Sequence, residues 1–333
     1  MTLLRVAIWG LGRHAIGKLV PAVRAAQGLS LHGVCSRDAA QVSACAESAA
    51  CKAWTDPDAM LNDPDVDVVY VATPIGLHAE HGRRVLGAGK HLWCEKPLTS
   101  GLEDTQELIR LASNRNRSIC EGLMYLYHPQ FRRLAAYVDE APLGRLRSIS
   151  CRFGIPRMEH SGFRSDPRLG GGAFLDVGCY PLSAILALLG DQELHVRDSA
   201  IEVAAGSAVD TSGHALIEAR NGVFAYAEWA IHCAYRNEID LWCEGGSVFA
   251  DRIFSKAPDH VPAFVVRDLH GSVRTESAQA NNHFVSMLEQ FRRIIGSPQD
   301  TEQELVRIKA RARLMDRIKL ASRFDVAQPR SFK

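Results

Sequence analysis

A glycine-rich segment near the start of the chain has the spacing of a phosphate-binding turn. Gly10, Gly12 and Ala15 form a G-x-G-x-x-A pattern that directly follows an apolar run and precedes a helix-like segment. At such a junction the first glycine allows the tight turn, the second lets the backbone approach a pyrophosphate, and the alanine allows close packing of helix against strand. The helix N-terminus supplies free N–H groups and the positive end of the helix dipole. The pattern therefore predicts a dinucleotide-binding turn rather than a purely structural one.

The end of the next apolar run bears on which dinucleotide binds. Ser36 and Arg37 stand where a cofactor without a 2′-phosphate would favour an acidic residue. An arginine guanidinium can pair with a 2′-phosphate and stack on adenine, and a serine hydroxyl can donate to the phosphate. NADP(H) is therefore the expected cofactor. Asp38 leaves NAD open as the alternative, if the strand ends later than expected.

Further ionisable residues follow later apolar runs. Thr73-Pro74 ends one run and Glu95-Lys96-Pro97 follows another, where the carboxyl ends of parallel strands would meet a ligand. Asp176 and Tyr180 are four residues apart in a helix-like segment, so they are expected to share one helix face. A lysine and a tyrosine can stabilise a developing negative charge and deliver a proton, and an aspartate beside them can orient a hydroxyl or hold the lysine.

The elements that must position these residues alternate between strand-like and helix-like patterns in the first third of the chain. The apolar runs that predict strands cover residues 4–9, 31–35, 66–72, 91–94 and 118–120. The predicted helices cover about residues 14–27, 38–50, 77–88 and 101–115. Runs that are nearly all apolar suit strands buried on both faces of a parallel sheet. We therefore expect an α/β fold in which residues 1–122 form a Rossmann domain with a doubly wound parallel sheet.

The rest of the chain, residues 123–333, shows a different pattern. Strands are predicted over residues 145–153, 194–204, 214–220, 223–231, 238–244 and 247–250, several of them joined by tight glycine turns. Helices are predicted over about residues 173–189, 281–295 and 302–320, and the capping-box spacing of Thr301 and Glu304 would open the last one. This part is expected to be an α+β domain with a largely antiparallel open sheet that binds substrate. An uncovered sheet face would need a partner, so a homo-oligomer, a dimer or a tetramer, is expected.

Composition excludes several classes of protein. The 333 residues favour two domains, and Lys+Arg 39 against Asp+Glu 38 gives no general electrostatic reason to bind nucleic acid or an anionic membrane. The nine cysteines are odd in number and contain no C-x-x-C pair, so neither a zinc site nor a disulfide framework is expected. We expect no metal, a reducing cytoplasmic compartment, no signal peptide, and no stretch of membrane-spanning length.

In their order along the chain, these motifs resemble a known family. The turn at residues 10–15, Thr73-Pro74, Glu95-Lys96-Pro97 and residues 170–181 are similar to the glucose–fructose oxidoreductase/inositol dehydrogenase (Gfo/Idh/MocA) family, and the resemblance covers essentially the whole chain. It implies an NAD(P)-dependent oxidoreductase acting on CH-OH or C=O groups. It also implies that Lys96 and the residue at the position of Tyr180 face the substrate beside the nicotinamide.

The chemistry of ketone reduction then gives each group a role. A ketone needs a hydride from the nicotinamide and a proton for the developing alkoxide. Tyr180 is the expected general acid, although Lys96 could donate the proton directly, and a nearby lysine lowers the pKa of a tyrosine. Asp176 is expected to orient a substrate hydroxyl or hold Lys96, with a favourable helix-dipole position as the alternative. His128 and Tyr235 are expected to line the substrate pocket, although packed side chains would look the same.

The expected cofactor contacts are Gly10, Leu11, Gly12, Arg13, His14, Ser36, Arg37, Thr73, Pro74, His78, Glu95, Lys96 and Arg164. Arg164 resembles a family arginine that approaches cofactor or substrate, and an ion pair in an exposed loop is its alternative.

A shorter motif narrows the branch of the family. Leu126 lies in residues 121–130 where sugar and dihydrodiol dehydrogenases of the family usually have arginine. The leucine form is similar instead to NADPH-dependent 3-ketoreductases that act on dTDP-linked keto-deoxyhexoses in antibiotic deoxysugar biosynthesis. We therefore expect this 3-ketoreductase activity. The alternatives are an NADP-dependent dehydrogenase of free sugars or trans-dihydrodiols, and a non-catalytic NADP-binding regulator, which the presence of both Lys96 and Tyr180 disfavours.

Overall fold

The computed structural model describes residues 3–157, 162–190 and 192–327. The chain divides into two compact units: unit 1 contains Met1–Met124 and Asn282–Ala312, and unit 2 contains Tyr125–Asn281 and Arg313–Lys333. The first break lies two residues beyond the boundary drawn from sequence. The segment Asn282–Ala312 belongs to unit 1, whereas the sequence boundary places it in the second domain.

Unit 1 is built on a six-stranded parallel sheet. Its strands are β1 Leu4–Trp9, β2 Leu29–Cys35, β3 Lys52–Trp54, β4 Val68–Val71, β5 His91–Cys94 and β6 Ile119–Glu121, in the order β3-β2-β1-β4-β5-β6. This order reverses between β1 and β4, and ligands bind at such a switch point in open α/β sheets. The predicted Rossmann sheet is confirmed.

Helices connect these parallel strands. A π-helical segment Ala15–Leu19 continues into α1 Val20–Ala25, and α2 Ala39–Ala49, α3 Pro57–Leu61, α4 His78–Gly87 and α5 Leu102–Arg115 follow. All four residues of β4 are buried, as the nearly continuous apolar run requires. The buried residues of these strands therefore hold the sheet in place. The candidate site residues of unit 1 lie just after the carboxyl ends of its strands.

Unit 2 contains a nine-stranded sheet. Its strands are β7 Leu146–Ile155, β8 Leu194–Ala204, β9 Ser212–Ala219, β10 Phe224–Ile231, β11 Arg236–Cys243, β12 Gly246–Asp251, β13 Ala263–Asp268, β14 Val273–Ser277 and β15 Arg323–Ala327, in the order β14-β13-β12-β11-β7-β10-β9-β8-β15. Two neighbouring pairs, β7 with β10 and β8 with β15, are parallel, and the other pairs are antiparallel. The expected largely antiparallel sheet is confirmed.

The sheet of unit 2 has one covered face. The helices of this part are α6 Pro129–Asp139 and α7 Cys179–Leu189, and a π-helical segment Phe174–Gly178 leads directly into α7. Helix α7 packs on β7 and β10. Burial alternates strictly along β9, with every second residue buried, which is the pattern of a sheet packed on one side.

Two long helices follow the strands, α8 His283–Ile295 and α9 Pro298–Ala321. The expected start of α9 at Thr301 is wrong, because Ser297 Oγ accepts a hydrogen bond from the backbone of Asp300 at 3.2 Å and the helix is already formed there. Thr301 Oγ1 instead donates to the Ile294 carbonyl at 2.9 Å. Glu304 forms an ion pair with Arg311 rather than a capping box.

The expectation that no stretch reaches membrane-spanning length is also wrong. The run Pro167–Leu189 has 23 residues and is apolar enough to cross a membrane, but 83% of its most apolar window is buried inside the protein. It contains α7, whose apolar residues cover the sheet. Its hydrophobicity therefore belongs to the core of unit 2.

Candidate active site

The turn after β1 has the geometry that its sequence predicts. Gly10 has φ +106°, and a Cβ there would lie 2.8 Å from backbone atoms of Ala72 and Thr73. Its backbone N–H donates to the Cys35 carbonyl at 2.8 Å. Gly10 thus brings the chain against the ends of both β2 and β4, an approach that any side chain would prevent.

The rest of the turn fits a diphosphate. Leu11 and Ala15 are buried, while Gly12, Arg13 and His14 are exposed. Among the described residues other than its chain neighbours, no atom lies within 4 Å of the position that a Cβ on Gly12 would occupy. The N–H groups at this helix start can therefore be approached closely, as a pyrophosphate requires.

The end of β2 favours a cofactor with a 2′-phosphate. Arg37 is exposed and pairs with no carboxylate among the described residues. Asp38 accepts a hydrogen bond from the backbone of Gln41 at 3.1 Å and so caps α2. Because β2 ends at Cys35 and Asp38 is committed to the cap, the NAD alternative loses its acidic ligand.

The loop after β5 starts with a buried carboxylate. Tyr70 donates to Glu95 at 2.9 Å, and His14 Nε2 lies 3.2 Å from the same oxygen. Burial favours the neutral carboxyl, but His14, Lys96 and the Tyr70 hydroxyl outweigh it and hold the pKa of Glu95 below its usual range. Glu95 therefore links the loop that carries Lys96 to the phosphate turn.

Two further contacts hold the backbone just after Lys96. His78 Nδ1 lies 2.9 Å from the Pro97 carbonyl, and its Nε2 lies 2.8 Å from the Thr73 carbonyl. Glu121 accepts a hydrogen bond from the backbone of Leu98 at 2.9 Å. The loop that follows β5 is thus fastened to the loop that follows β4 and to the end of β6.

His78 corrects one expected cofactor contact. Its side chain is 1% exposed and both ring nitrogens face backbone carbonyls, so neither is available to a cofactor. Burial lowers its pKa, and the neutral ring that results donates at only one nitrogen. His78 therefore connects the loop after β4 to the loop after β5.

In unit 2, Asp176 lies in the π-helical segment before α7 and is 4% exposed. Arg164 Nε contacts Asp176 Oδ2 at 2.5 Å, and the guanidinium lies 4.9 Å from the centre of the Phe163 ring. Arg164 therefore forms an ion pair, but with the buried candidate catalytic aspartate and not within an exposed loop. Gly171 permits this arrangement, because a Cβ there would lie 2.6 Å from the Arg164 carbonyl.

Tyr180 lies in the first turn of α7 and is 7% exposed. Its ring packs edge-on against Phe153 with centroids 4.9 Å apart, and the Tyr125 and Phe254 rings lie 5.9 and 5.7 Å away. Tyr125 is itself held by a 2.6 Å hydrogen bond to Ser183 Oγ. These rings fix the direction of the Tyr180 side chain before any substrate binds.

The two expected pocket residues have different surroundings. His128 is fully buried, and its Nδ1 accepts a hydrogen bond from the backbone of Gln130 at 2.9 Å, which caps α6. Burial, with smaller effects of Lys256 and His260, lowers the pKa of His128 to about 4. A structural role thus accounts for His128, while Tyr235 is 43% exposed and accepts a hydrogen bond from Asn237 at 2.7 Å.

Sequence reasoning missed the groups that support the loop of Lys96. Glu121 forms a 2.5 Å ion pair with Arg311, which also contacts Glu304 at 2.8 Å. Arg311 belongs to a helix whose many basic residues predict a solvent-exposed face. The sequence around Arg311 therefore gives no sign that this arginine is buried. Tyr70 lies in an apolar strand and has no sequence signal beyond its hydroxyl.

Comparison with known proteins identifies the class to which this fold and turn belong. Residues 4–123 match the family described as an oxidoreductase family with an NAD-binding Rossmann fold, and residues 131–249 match the GFO/IDH/MocA C-terminal domain. The chain therefore belongs to the GFO/IDH/MocA oxidoreductase family.

Within that family, several relatives share a name. The dTDP-3,4-didehydro-2,6-dideoxy-alpha-D-glucose 3-reductases of Streptomyces antibioticus and Streptomyces violaceoruber are 33% and 34% identical over 78% and 81% of this chain, and over 79% of each relative. A 3-ketoreductase from Actinomadura kijaniata, solved with NADP and TDP-benzene, is 28% identical, with a TM-score of 0.91 over 98% of this chain and 99% of that chain. A D-xylose 1-dehydrogenase (NADP(+)) of Haloferax volcanii is 29% identical over 86% of this chain and 87% of its own length.

Proposed function

We propose that this chain uses NADPH to reduce the 3-keto group of a dTDP-linked keto-deoxyhexose, a step of deoxysugar biosynthesis of the kind that supplies antibiotic sugars. The observation that carries the proposal is the similarity, over 78% and 81% of the chain, to two reductases named for such a reaction. The exposed Arg37 and the dinucleotide turn agree with the cofactor, and the motif positions of Lys96 and Tyr180 agree with the chemistry.

The residues of unit 1 fit NADPH. The turn at residues 10–14 would hold its diphosphate, and Ser36 and Arg37 would hold its 2′-phosphate. When bound, NADPH supplies the hydride. Thr73, Pro74 and Glu95 follow β4 and β5 and stay the proposed neighbours of the cofactor in this unit.

We assign two groups to the substrate carbonyl. Tyr180 donates the proton that the developing alkoxide takes up, and the Lys96 ammonium stabilises the negative charge on the same oxygen. The loop contacts at Pro97 and Leu98 limit the directions that Lys96 can take. In unit 2, Arg164 fixes Asp176, and we assign the Asp176 carboxylate to a hydroxyl of the sugar.

A substrate panel tests this function. The purified protein is mixed with NADPH and a freshly generated dTDP-linked 3-keto-deoxyhexose, and in separate samples with NADP and free xylose or a trans-dihydrodiol. NADPH oxidation is expected only with the nucleotide-linked ketone. Oxidation of xylose or the dihydrodiol at a comparable kcat/KM would favour the dehydrogenase alternative, and binding of NADPH without turnover of any substrate would favour a regulator.

We also propose that the chain forms a homo-oligomer through the outer face of the unit 2 sheet. Phe224 and Trp242 both lie opposite Ser148 on neighbouring strands, and they are 43% and 63% exposed. In the next row, Phe249 lies opposite Val265, which is also exposed. A second copy is the occupant of this face, because a row of large apolar side chains on a wide sheet is otherwise left in water.

The cysteines support our proposal of a reducing, cytoplasmic location. All nine are free thiols, and seven of them are buried. Burial raises the pKa of Cys35 to about 12 and holds that of Cys151 well above its usual range, so these thiols stay protonated and unreactive.

A further inference from the structure

Unit 2 contains a buried lysine outside the site described above. Lys256 lies on the connection between β12 and β13 and is 9% exposed. Its Nζ donates to the Ile253 carbonyl at 2.9 Å, which satisfies one of the three donors of an ammonium. Within the described part of the chain, no carboxylate forms an ion pair with Lys256. Burial lowers its pKa to about 7.

The surroundings of Lys256 are basic rather than acidic. Lys256 and His260 both help to lower the pKa of His128, so the titratable side chain that interacts with Lys256 is a histidine and not a carboxylate. The acidic side chains of the same connection, Asp251 and Asp259, are exposed. Burying an amine without a counter-charge lowers the stability of the folded protein. The burial of Lys256 therefore suggests a functional role.

The backbone around Lys256 is held in place. Asn237 is 1% exposed, accepts a hydrogen bond from the Phe254 backbone at 2.7 Å and donates to the Ser255 carbonyl at 3.0 Å. A second cation, Arg252, lies on the same connection, with its guanidinium 5.9 Å from the centre of the Tyr235 ring. The connection therefore presents two positive charges from a fixed backbone.

This connection also reaches the proposed catalytic tyrosine. The Phe254 ring lies 5.7 Å from the Tyr180 ring, and Lys256 is two residues further along the chain. Two residues span at most about 7 Å of backbone, so Lys256 and the ring that packs on Tyr180 belong to the same short stretch of chain. In a nucleotide-linked sugar the diphosphate is attached at C1, which a single ring carbon separates from C3. A sugar whose C3 is at Tyr180 therefore has its diphosphate a few bonds from that ring, and this connection is one of the segments that pack there.

We propose that Lys256, together with Arg252 of the same connection, binds the diphosphate of the nucleotide-linked substrate. The proposal rests on the proposed function for the identity of the ligand. An anion at Lys256 supplies the missing counter-charge and accepts the two remaining N–H groups. It also gives the enzyme a preference for sugars that carry a diphosphate over free sugars.

Binding measurements with two Lys256 variants test this site. Lys256→Met removes the charge at similar length, Lys256→Arg keeps it, and Lys319→Met on the exposed side of α9 is the matched control. The probes are dTDP and thymidine, each titrated by calorimetry into the holoenzyme with NADP. In Lys256→Met, we expect the Kd of dTDP to rise about 10- to 100-fold, as for a lost charge-assisted hydrogen bond. The Kd of thymidine and of NADP should stay within about 3-fold, and Lys256→Arg should restore part of the dTDP affinity.

Two outcomes would overturn the proposal. An unchanged Kd of dTDP in Lys256→Met would do so, and so would an equal loss of thymidine affinity, because the lysine would then act on the nucleoside rather than on the diphosphate. Misfolding does not confuse the result, since removing a buried amine is expected to leave Tm equal or higher at neutral pH. If no 3-keto sugar is reduced while dTDP binding still depends on Lys256, the proposed function fails and this site stands.

Discussion

At the residue scale, the proposed role of Arg37 is to select between the two nicotinamide dinucleotides by its charge. We predict that Arg37→Ala raises the Kd of NADPH about 10- to 100-fold and that of NADH by less than about 3-fold, because only NADPH offers a 2′-phosphate to the guanidinium. Fluorescence titration of each cofactor measures both constants. Arg24→Ala, another exposed arginine of unit 1, is the control. Equal losses for the two cofactors would refute the assignment of Ser36 and Arg37 to the 2′-phosphate.

A second prediction at the residue scale concerns the proposed catalytic residues Lys96 and Tyr180. Lys96→Ala and Tyr180→Phe should each lower kcat for the nucleotide-linked ketone by about 100- to 10,000-fold, the usual loss when an acid or charge-stabilising group is removed. The Kd of NADPH should change by less than about 3-fold in Tyr180→Phe. Steady-state kinetics and cofactor titration separate the two effects. Full activity of either variant would remove that residue from the mechanism.

Single residues differ in how far the sequence could predict them. The tight turn at Gly10 was predictable from its motif, and the structure shows it with a positive φ, whereas the close approach to Ala72 and Thr73 is seen only in the fold. His128 was not, because a buried helix cap and a pocket residue have the same sequence appearance. The ion pair of Arg164 with Asp176 joins residues 12 positions apart across a loop, and only the folded backbone shows that they meet.

At the scale of elements, one buried cation joins the end of β6 to α9, because Arg311 contacts both Glu121 and Glu304. We predict that Arg311→Met lowers the free energy of unfolding by about 3–5 kcal/mol, since two carboxyl groups are left buried without their cation. Arg307→Met should cost less than about 1 kcal/mol, because Arg307 is 62% exposed and 3.8 Å from Glu304. Urea denaturation of the two variants makes the comparison.

The pH dependence of that difference is a further check. Burial raises the pKa of Glu304 despite its contact with Arg311. In Arg311→Met, Glu304 is therefore protonated at mildly acidic pH, which removes its buried charge. The cost of the substitution should shrink as the pH falls. Equal costs for Arg311→Met and Arg307→Met at neutral pH would contradict the buried-pair account.

The elements themselves were predictable where their pattern is local. The strands of unit 1 follow from apolar runs, and β1 and β5 have the expected bounds. The short β3, the edge strands β14 and β15, and β13 next to β14 were missed, because half-exposed strands lack a continuous apolar run. The parallel pairing of β15 with β8 joins segments more than a hundred residues apart, which no local pattern encodes.

At the scale of the whole molecule, the exposed row on the sheet of unit 2 predicts self-association. Trp242→Asp should weaken the oligomer at least about 30-fold, as expected for a buried aromatic at the centre of an interface. Leu320→Asp is the control, because Leu320 is 79% exposed on α9, outside the sheet. Sedimentation velocity over a concentration series gives the result. A wild-type protein that sediments only as a monomer would reject this interface.

The function itself is tested most directly by following the hydride. NADPH carrying deuterium at both positions of C4 of the nicotinamide is supplied with the dTDP-linked 3-keto-deoxyhexose, and the sugar product is analysed by NMR. We predict one deuterium at C3 of the sugar, and labelled product formed about 100- to 10,000-fold more slowly when Lys96→Ala replaces the wild-type protein. Deuterium at another carbon, or none in the wild-type product, would contradict the assignment of this chain as a nucleotide-sugar 3-ketoreductase.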